Sequence, residues 1–187
     1  MQYAIIDNFL DIDYFNSIKK IIMSDRFAWY FQDWITNPET GEEEESFYFT
    51  HNVYSEGVKS SLFTHLEILL QKLNVRTLIR IKANFYPNVN KFMENLSHVD
   101  YEEKHIAVIL YLNNNNGYTR LNDKITVDSI ENRMLLFEGY KPHNSTLCTN
   151  TKGRFNINLN FNLEENFGEY YETIGTNYWS LAKLLFN

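Results

Sequence analysis

Apolar side chains recur at helical spacing in two segments of the first 75 residues. In the first segment they lie three or four residues apart, at Ile12, Phe15, Ile18, Ile21 and Ile22. We predict a helix there, preceded by a short strand at Tyr3–Ile6 and capped by Asp11 or Asp13. A second helix is predicted from the stripe Val58, Leu62, Leu66, Leu69, Leu70 and Leu73.

From residue 76 onward the pattern changes to short runs that are typical of strands. These runs cover residues 78–86, 104–112, 133–137 and 154–163. Clusters of Asn, Gly and Pro separate them, which indicates an antiparallel sandwich or barrel. An aromatic run at 27–31 predicts another strand, and 178–186 predicts a short terminal helix. The fold class is therefore mainly β (α+β), with two helices beside a β-core.

The last of these runs alternates strictly between polar and apolar residues. Its polar positions are Arg154, Asn156, Asn158, Asn160 and Asn162. A solvated face is the ordinary alternative, but such faces are usually rich in Lys and Glu, and this row has one Arg and four amides. We favour a polar cavity lining. An Arg in a cavity needs an anionic partner, and its planar fork suits a carboxylate.

Three further residues have the chemistry of metal ligands. His98 and Asp100 are separated by one residue, so in extended backbone they point to the same side. His143 follows Pro142, where a turn can bring its ring back across the sheet. Two His and one carboxylate with open positions suit Fe(II) enzymes that activate O₂. Taken alone, a His-x-Asp motif such as His98 and Asp100 is more often a surface His near an Asp.

Composition and charge narrow the class of protein. The chain has 187 residues, and 44% of them are hydrophobic, which favours a single domain over 1–187. The net charge of -7 makes nucleic acid an unlikely partner. The chain has a single cysteine, Cys148, and shows no secretory leader, which indicates a cytoplasmic protein. It has no apolar run of about 18 residues, so no membrane span is predicted. The sequence does not indicate the oligomeric state.

Several motifs along the chain are shared with a known family. They are IKANFYP at 81–87, HVD at 98–100, YLN at 111–113, NGYT at 116–119, NRMLLF at 132–137, then His143 and Arg154. In order and spacing the chain resembles the 2-oxoglutarate/Fe(II) dioxygenases of the prolyl-4-hydroxylase-like branch, particularly the small phage-encoded members. The resemblance covers nearly the whole chain. A phage-encoded enzyme would act in the host cytoplasm.

The resemblance implies a double-stranded β-helix, or cupin-like jelly roll, with N-terminal supporting helices. It implies Fe(II), 2-oxoglutarate and O₂ as cofactor and co-substrates, with ascorbate as an optional addition. His98, Asp100 and His143 would hold the iron and form the catalytic centre. The predicted co-substrate site consists of Arg154 on the distal carboxylate, Tyr111 as a second donor to it, Tyr86 lining the pocket, and Asn158.

The implied reaction is hydroxylation of a prolyl or other amino-acid residue, or of a small molecule, with formation of succinate and CO₂. Peptides, proteins and small molecules are therefore the candidate substrates. The alternative is a non-catalytic jelly-roll module with a binding or structural role. The chain departs from the branch at 117–119, where Gly-Tyr-Thr follows instead of Gly-Gly-Glu-Thr, and this leaves the substrate side open. It also leaves open whether the acidic loop at 37–46 is a lid.

Overall fold

The computed structural model describes residues 1–34 and 47–162. The acidic loop at 37–46 and the predicted helix at 178–186 lie outside these residues. The strands are β1 Tyr3–Ile6, β2 Tyr30–Gln32, β3 Tyr48–Ser55, β4 Val58–Lys59, β5 Thr77–Pro87, β6 Ile106–Tyr111, β7 Tyr118–Leu121, β8 Ile125–Asp128, β9 Met134–Glu138, β10 His143–Ser145 and β11 Gly153–Asn162. The helices are α1 Ile12–Ile22 and α2 Glu67–Lys72, and a 3-10 segment covers Phe63–Leu66.

Two antiparallel sheets form the body of the protein. The major sheet has the order β1-β9-β6-β11-β5-β3-β2, with β4 paired to β3, and the minor sheet has the order β10-β7-β8. Two isolated bridges, Glu94 to Thr146 and His98 to His143, bring the segment before β6 alongside β10. This arrangement is a double-stranded β-helix, and it confirms the predicted jelly roll.

The major sheet is covered on its outer face by the helices. A buried cluster joins Phe15 and Ile18 of α1 and Leu69 of α2 to the apolar row of β11, which includes Ile157 and Leu159. The predicted supporting helices are therefore present. A second cluster fills the space between the sheets with side chains from β6, β7, β8 and β9. The polar row of β11 also faces this space, so the strand is buried on both faces.

The N-terminal helix agrees with its prediction. Asp11 caps it, because its carboxylate accepts hydrogen bonds from the backbone N–H groups of Asp13 and Tyr14. Lys19 and Lys20 lie in the last turn, where positive charge stabilises the helix dipole. None of the helices in the described part of the chain has the length and apolar character needed to cross a membrane.

The second predicted helix is shorter than its apolar stripe suggested. Val58 belongs to β4 and is 73% exposed, and the helical turns begin only at Phe63. The cause is a tight turn at Glu56 and Gly57, where both residues have positive φ (50° and 81°) and β3 reverses into β4. Leu66 and Leu69 are buried as expected. The spacing is thus helical only in its second half.

Several short strands were missed by the pattern. The run at 27–31 contains the start of a strand, but that strand is Tyr30–Gln32. Strands β3, β7 and β8 had no prediction, and the return of the chain at His143 is itself a three-residue strand, β10. Strands of three or four residues, such as β7, β8 and β10, are too short to show a periodicity of two, whereas the eight-residue β3 was missed because its sequence does not alternate between apolar and polar residues.

Candidate active site

The three predicted metal ligands converge between the sheets. One ligand atom from each of His98, Asp100 and His143 lies within 4.8 Å of the others. The backbone fixes this arrangement, because the N–H of each histidine donates to the carbonyl of the other at 2.9 Å. The N–H of Asp100 donates to the carbonyl of Gly139 at 3.2 Å. The chain thus brings together two ligands that are 45 residues apart.

Both imidazole rings present the same nitrogen to the site. Nδ1 of His143 lies 3.0 Å from the carbonyl oxygen of Lys141, and Nδ1 of His98 lies 3.5 Å from that of Leu96. A carbonyl can only accept, so Nδ1 carries the proton in each ring. Nε2 is then left as a lone-pair donor, which is the form in which histidine binds a metal.

The carboxylate of Asp100 is held by donors on both oxygens. Oδ1 accepts from Nη2 of Arg80 at 2.7 Å. Oδ2 accepts from the amides of Asn160 at 2.8 Å and Asn158 at 3.4 Å, and it lies 3.8 Å from Nε2 of His143. Burial acts to raise the pKa of Asp100, but the interactions with His143 and Arg80 and the hydrogen bond from Asn160 outweigh it, and the pKa is lowered. Asp100 is therefore ionised at neutral pH and able to bind a cation.

The two histidines are neutral at physiological pH. Burial, together with the nearby His143, lowers the pKa of His98 to about 4, although Asp100 opposes the change. Burial also lowers the pKa of His143, again against the field of Asp100. Two neutral imidazoles and one carboxylate, with one side of the set facing a cavity, fit a divalent first-row metal with open coordination positions.

Acidification should destabilise the metal-free protein. Below about pH 6.5 the unfolded chain binds a proton at His98 that the folded protein does not bind until about pH 4. The free energy of unfolding should therefore fall by about 2 kcal/mol between pH 7 and pH 5 on account of His98, with His143 adding in the same direction. Urea unfolding at the two pH values measures this. An undiminished pH dependence in His98→Gln would contradict the assignment.

A second polar site lies around Arg154 on the same cavity. This side chain has no exposed surface. Its Nε donates to Oγ of Ser129 at 2.7 Å and its Nη2 donates to Oγ1 of Thr119 at 2.9 Å. The rings of Tyr86 and Tyr111 lie 5.3 and 5.5 Å from its guanidinium carbon. Within residues 1–34 and 47–162 it forms no ion pair with a carboxylate, so its charge lacks an anionic partner there.

The predicted tyrosines contribute in different ways. Tyr111 is fully buried, and its hydroxyl donates to Oγ1 of Thr119 at 2.8 Å, on the same oxygen that Arg154 uses. Thr119 thus links the two. Tyr86 stacks on Tyr48, with ring centroids 5.4 Å apart, and closes one side of the site. Sequence analysis missed Thr119 and Ser129, whose hydroxyl groups carry no pattern of their own.

One cavity connects the two sites. It is narrow, with a volume of about 30 Å³. Its lining residues are Asn84, Tyr86, His98, Ile109, Thr119, His143, Asn144, Ser145, Arg154, Asn156 and Asn158. The side-chain oxygens of Asn84, Asn144 and Asn158 are buried without a hydrogen-bond partner in the described part of the chain. These are acceptors that a ligand or water would satisfy.

The polar row of β11 lines the cavity with Arg154, Asn156 and Asn158, as its alternation predicted. Arg154, Asn156, Asn158 and Asn160 are all buried, and only Asn162 at the strand end is exposed. The amide of Asn84 on β5 donates to Asn156 at 2.9 Å and fixes the orientation of that side chain. The alternative of a solvated face is wrong for this strand.

Gly117 gives Arg154 its space. A Cβ at this position would lie 2.9 Å from Cδ of Arg154 and 3.1 Å from the carbonyl oxygen of Leu147. The segment 117–119 departs from Gly-Gly-Glu-Thr, but it keeps a glycine that leaves room for the Arg154 side chain.

Of the other histidines, His65 is exposed, and His105 is buried against Gly139 behind the ligand set.

No protein-family model matches the sequence, and no curated protein does. Solved structures do match. A prolyl hydroxylase from Trichoplax adhaerens, in complex with a hypoxia inducible factor peptide fragment, has a TM-score of 0.60 at 13% identity, covering 85% of this chain and 82% of that one. A prolyl-4-hydroxylase from Pseudomonas putida has a TM-score of 0.56 at 14% identity, covering 86% and 92%.

A viral collagen prolyl hydroxylase from Paramecium Bursaria Chlorella virus-1 is also similar. Its TM-score is 0.52 at 11% identity, covering 88% of this chain and 91% of that one. The chain therefore has the double-stranded β-helix fold of prolyl hydroxylases and related 2-oxoglutarate/Fe(II) oxygenases.

Proposed function

We propose that this chain, as one domain over 1–187, is an Fe(II)- and 2-oxoglutarate-dependent dioxygenase. The observation that supports this most strongly is a single cavity lined by His98 and His143, the two histidines of the His-Asp-His ligand set, and by the fully buried Arg154, which has no carboxylate partner among the described residues. A metal hydrolase would need the ligand set but not the arginine. The neighbours' fold agrees with the proposal, although fold alone does not fix a reaction.

The residues around Arg154 match the needs of a dicarboxylate co-substrate. The guanidinium is pre-oriented by Ser129 and Thr119, and charge-assisted hydrogen bonds to a carboxylate would neutralise it in a water-poor site. Tyr86 and Tyr111 shield the same end of the cavity. The opposite end of such a co-substrate would reach the ligand set, where Nε2 of His98 and His143 and a carboxylate oxygen of Asp100 would hold iron.

Bound Fe(II) would supply the activation of O₂ that couples decarboxylation of 2-oxoglutarate to oxidation of the substrate. The protein's own part is to keep both imidazoles neutral, to keep Asp100 ionised, and to exclude water from the cavity. In the overall reaction, 2-oxoglutarate, O₂ and a C–H bond become succinate, CO₂ and a C–OH bond. Ascorbate would serve only to keep iron reduced.

The substrate is proposed to be a prolyl or other amino-acid residue of a peptide or protein, or a small molecule. Support for a peptide comes from the Trichoplax adhaerens enzyme, which was solved with a peptide fragment. A phage origin and a cytoplasmic site of action remain part of this proposal. The non-catalytic module is the alternative, and the complete ligand set and the retained Arg154 argue against it.

Turnover of the co-substrate tests the proposal. Iron-loaded protein in air should convert 2-oxoglutarate to succinate, slowly without a substrate and faster with one. Omitting Fe(II), replacing it with Zn(II) or excluding O₂ should each stop succinate formation. Folded protein that binds Fe(II) and forms no succinate with any candidate substrate would favour the binding module instead.

A further inference from the structure

A half-buried lysine lies beside the ligand set, outside the cavity that leads to Arg154. Lys82 lies on β5 between Arg80 and Asn84 at every second position, so the three side chains share the face between the sheets. Its ammonium contacts the hydroxyl of Tyr48 at 3.3 Å and lies 5.4 Å from the centre of that ring. Within the described residues it forms no ion pair with a carboxylate, and it does not line the cavity.

The register of the sheet places Lys82 next to the metal ligands. It pairs across β11 with Asn158, whose amide donates to Asp100, and across β3 with Asn52. Arg80, two residues away on the same face, donates to the other oxygen of Asp100. Lys82 thus lies between the ligand set and the strands β3 and β2 at the edge of the major sheet.

Among the described residues, the charges on this face do not balance. Arg80 and Asp100 neutralise each other, so the ammonium of Lys82 has no carboxylate partner in residues 1–34 and 47–162. Nε of Arg80 is a further donor that is buried without a hydrogen-bond partner in these residues. An uncompensated ammonium and an open donor beside a reactive centre are what an anionic ligand requires.

Keeping this charge is unfavourable for folding. Burial, with a further contribution from Arg80, lowers the pKa of Lys82 to about 8, although Asp100 opposes the change. The ammonium still predominates at neutral pH, and a methionine of similar length would fill the space without the desolvation. An anionic ligand would offset this cost, because no carboxylate of the described residues forms an ion pair with Lys82.

We propose that Lys82 binds a carboxylate of the substrate that is oxidised, with the open Nε of Arg80 as a second donor. The inference rests on the proposed function, since it assigns the substrate side of the same centre. The carboxylate can belong to a free organic acid or amino acid, or to an acidic residue of a peptide. In either case a carboxamide, which has the same shape without the charge, should be a poor substitute.

Matched acid and amide pairs test this assignment. Protein loaded with Fe(II) and 2-oxoglutarate under nitrogen is titrated calorimetrically with L-proline and L-prolinamide, L-glutamate and L-glutamine, and blocked Glu-Pro and Gln-Pro peptides. The free acids and the peptides distinguish the two sources of the carboxylate. At least one acid should bind about tenfold more tightly than its amide, as expected for a charge-assisted hydrogen bond.

Variants assign the preference to Lys82. Lys82→Met should remove the preference for the acid over its amide, and Lys82→Arg should retain much of that preference. The control Lys124→Met, which removes an exposed lysine from the turn between β7 and β8, should leave the preference unchanged. The inference is overturned if no pair shows a Lys82-dependent preference. It is also overturned if Lys82→Met weakens the binding of 2-oxoglutarate instead, because Lys82 would then bind the co-substrate.

The same titrations on metal-free protein separate this inference from the proposed function. If Fe(II) and 2-oxoglutarate do not bind at all, the dioxygenase proposal fails at the loading step. The acid preference of the metal-free protein then still reports on Lys82. A preference that is present in both forms and is lost in Lys82→Met supports the anion site independently of iron.

Discussion

Replacing Asp100 with alanine should abolish both iron retention and turnover. Asp100 is the carboxylate of the ligand set, and losing even a residue that merely orients a metal ligand typically costs 10- to 100-fold in affinity. We therefore expect Asp100→Ala to weaken Fe(II) binding by more than about 100-fold. Iron content after gel filtration and the rate of succinate formation measure the two effects.

The ion pair with Arg80 complicates this variant and also provides its control. Without Asp100 the guanidinium of Arg80 loses its partner, and breaking a buried pair in this way costs about 3–5 kcal/mol. The double variant Asp100→Ala/Arg80→Met should recover most of this stability without recovering iron. If the double variant binds Fe(II) as the wild type does, Asp100 is not a ligand.

Replacing Arg154 with alanine should raise the 2-oxoglutarate requirement without releasing iron. Each hydrogen bond to a charged group contributes about 1.5–3 kcal/mol, so losing two of them should raise the half-saturating concentration by about 100-fold or more. The ligand set contains no atom of Arg154, and iron content should stay at the wild-type value. Succinate formation as a function of 2-oxoglutarate concentration is the measurement.

Arg154→Lys is the matched variant for this site. It keeps the positive charge but loses the planar fork that Ser129 and Thr119 orient, so its requirement for 2-oxoglutarate should lie between those of the wild type and Arg154→Ala. An unaltered requirement in Arg154→Ala would remove this residue from the co-substrate site. It would also leave the buried guanidinium without a function in the proposed account.

The polar lining of the cavity was predictable because β11 is long. Ten residues show five repeats of the alternation, and amides in place of Lys and Glu distinguish a cavity from a solvated face. The same pattern continues on β5, where Arg80, Lys82 and Asn84 alternate with buried Ile81 and Ala83. That pattern was available in the sequence, but its meaning depends on the pairing of β5 with β11.

The convergence of the metal ligands depends on contacts that no local pattern contains. His98 and His143 meet through a bridge between two irregular segments, and β10 is only three residues long. Their grouping could be inferred from chemistry and from the family resemblance, but not from periodicity. The second helix shows the opposite case, since the hairpin turn at Glu56 and Gly57 places Val58, the first residue of a stripe whose spacing looked helical, in strand β4.

The most direct test of the proposed function is an anaerobic titration of metal-free protein with Fe(II) and then 2-oxoglutarate, followed by visible absorption. Chelation of iron by the 2-oxo acid should produce a weak charge-transfer band that is absent with either component alone. The band should be lost in His143→Ala and should require a higher 2-oxoglutarate concentration in Arg154→Ala. Folded protein that retains Fe(II) and shows no such band at saturating 2-oxoglutarate would contradict the account.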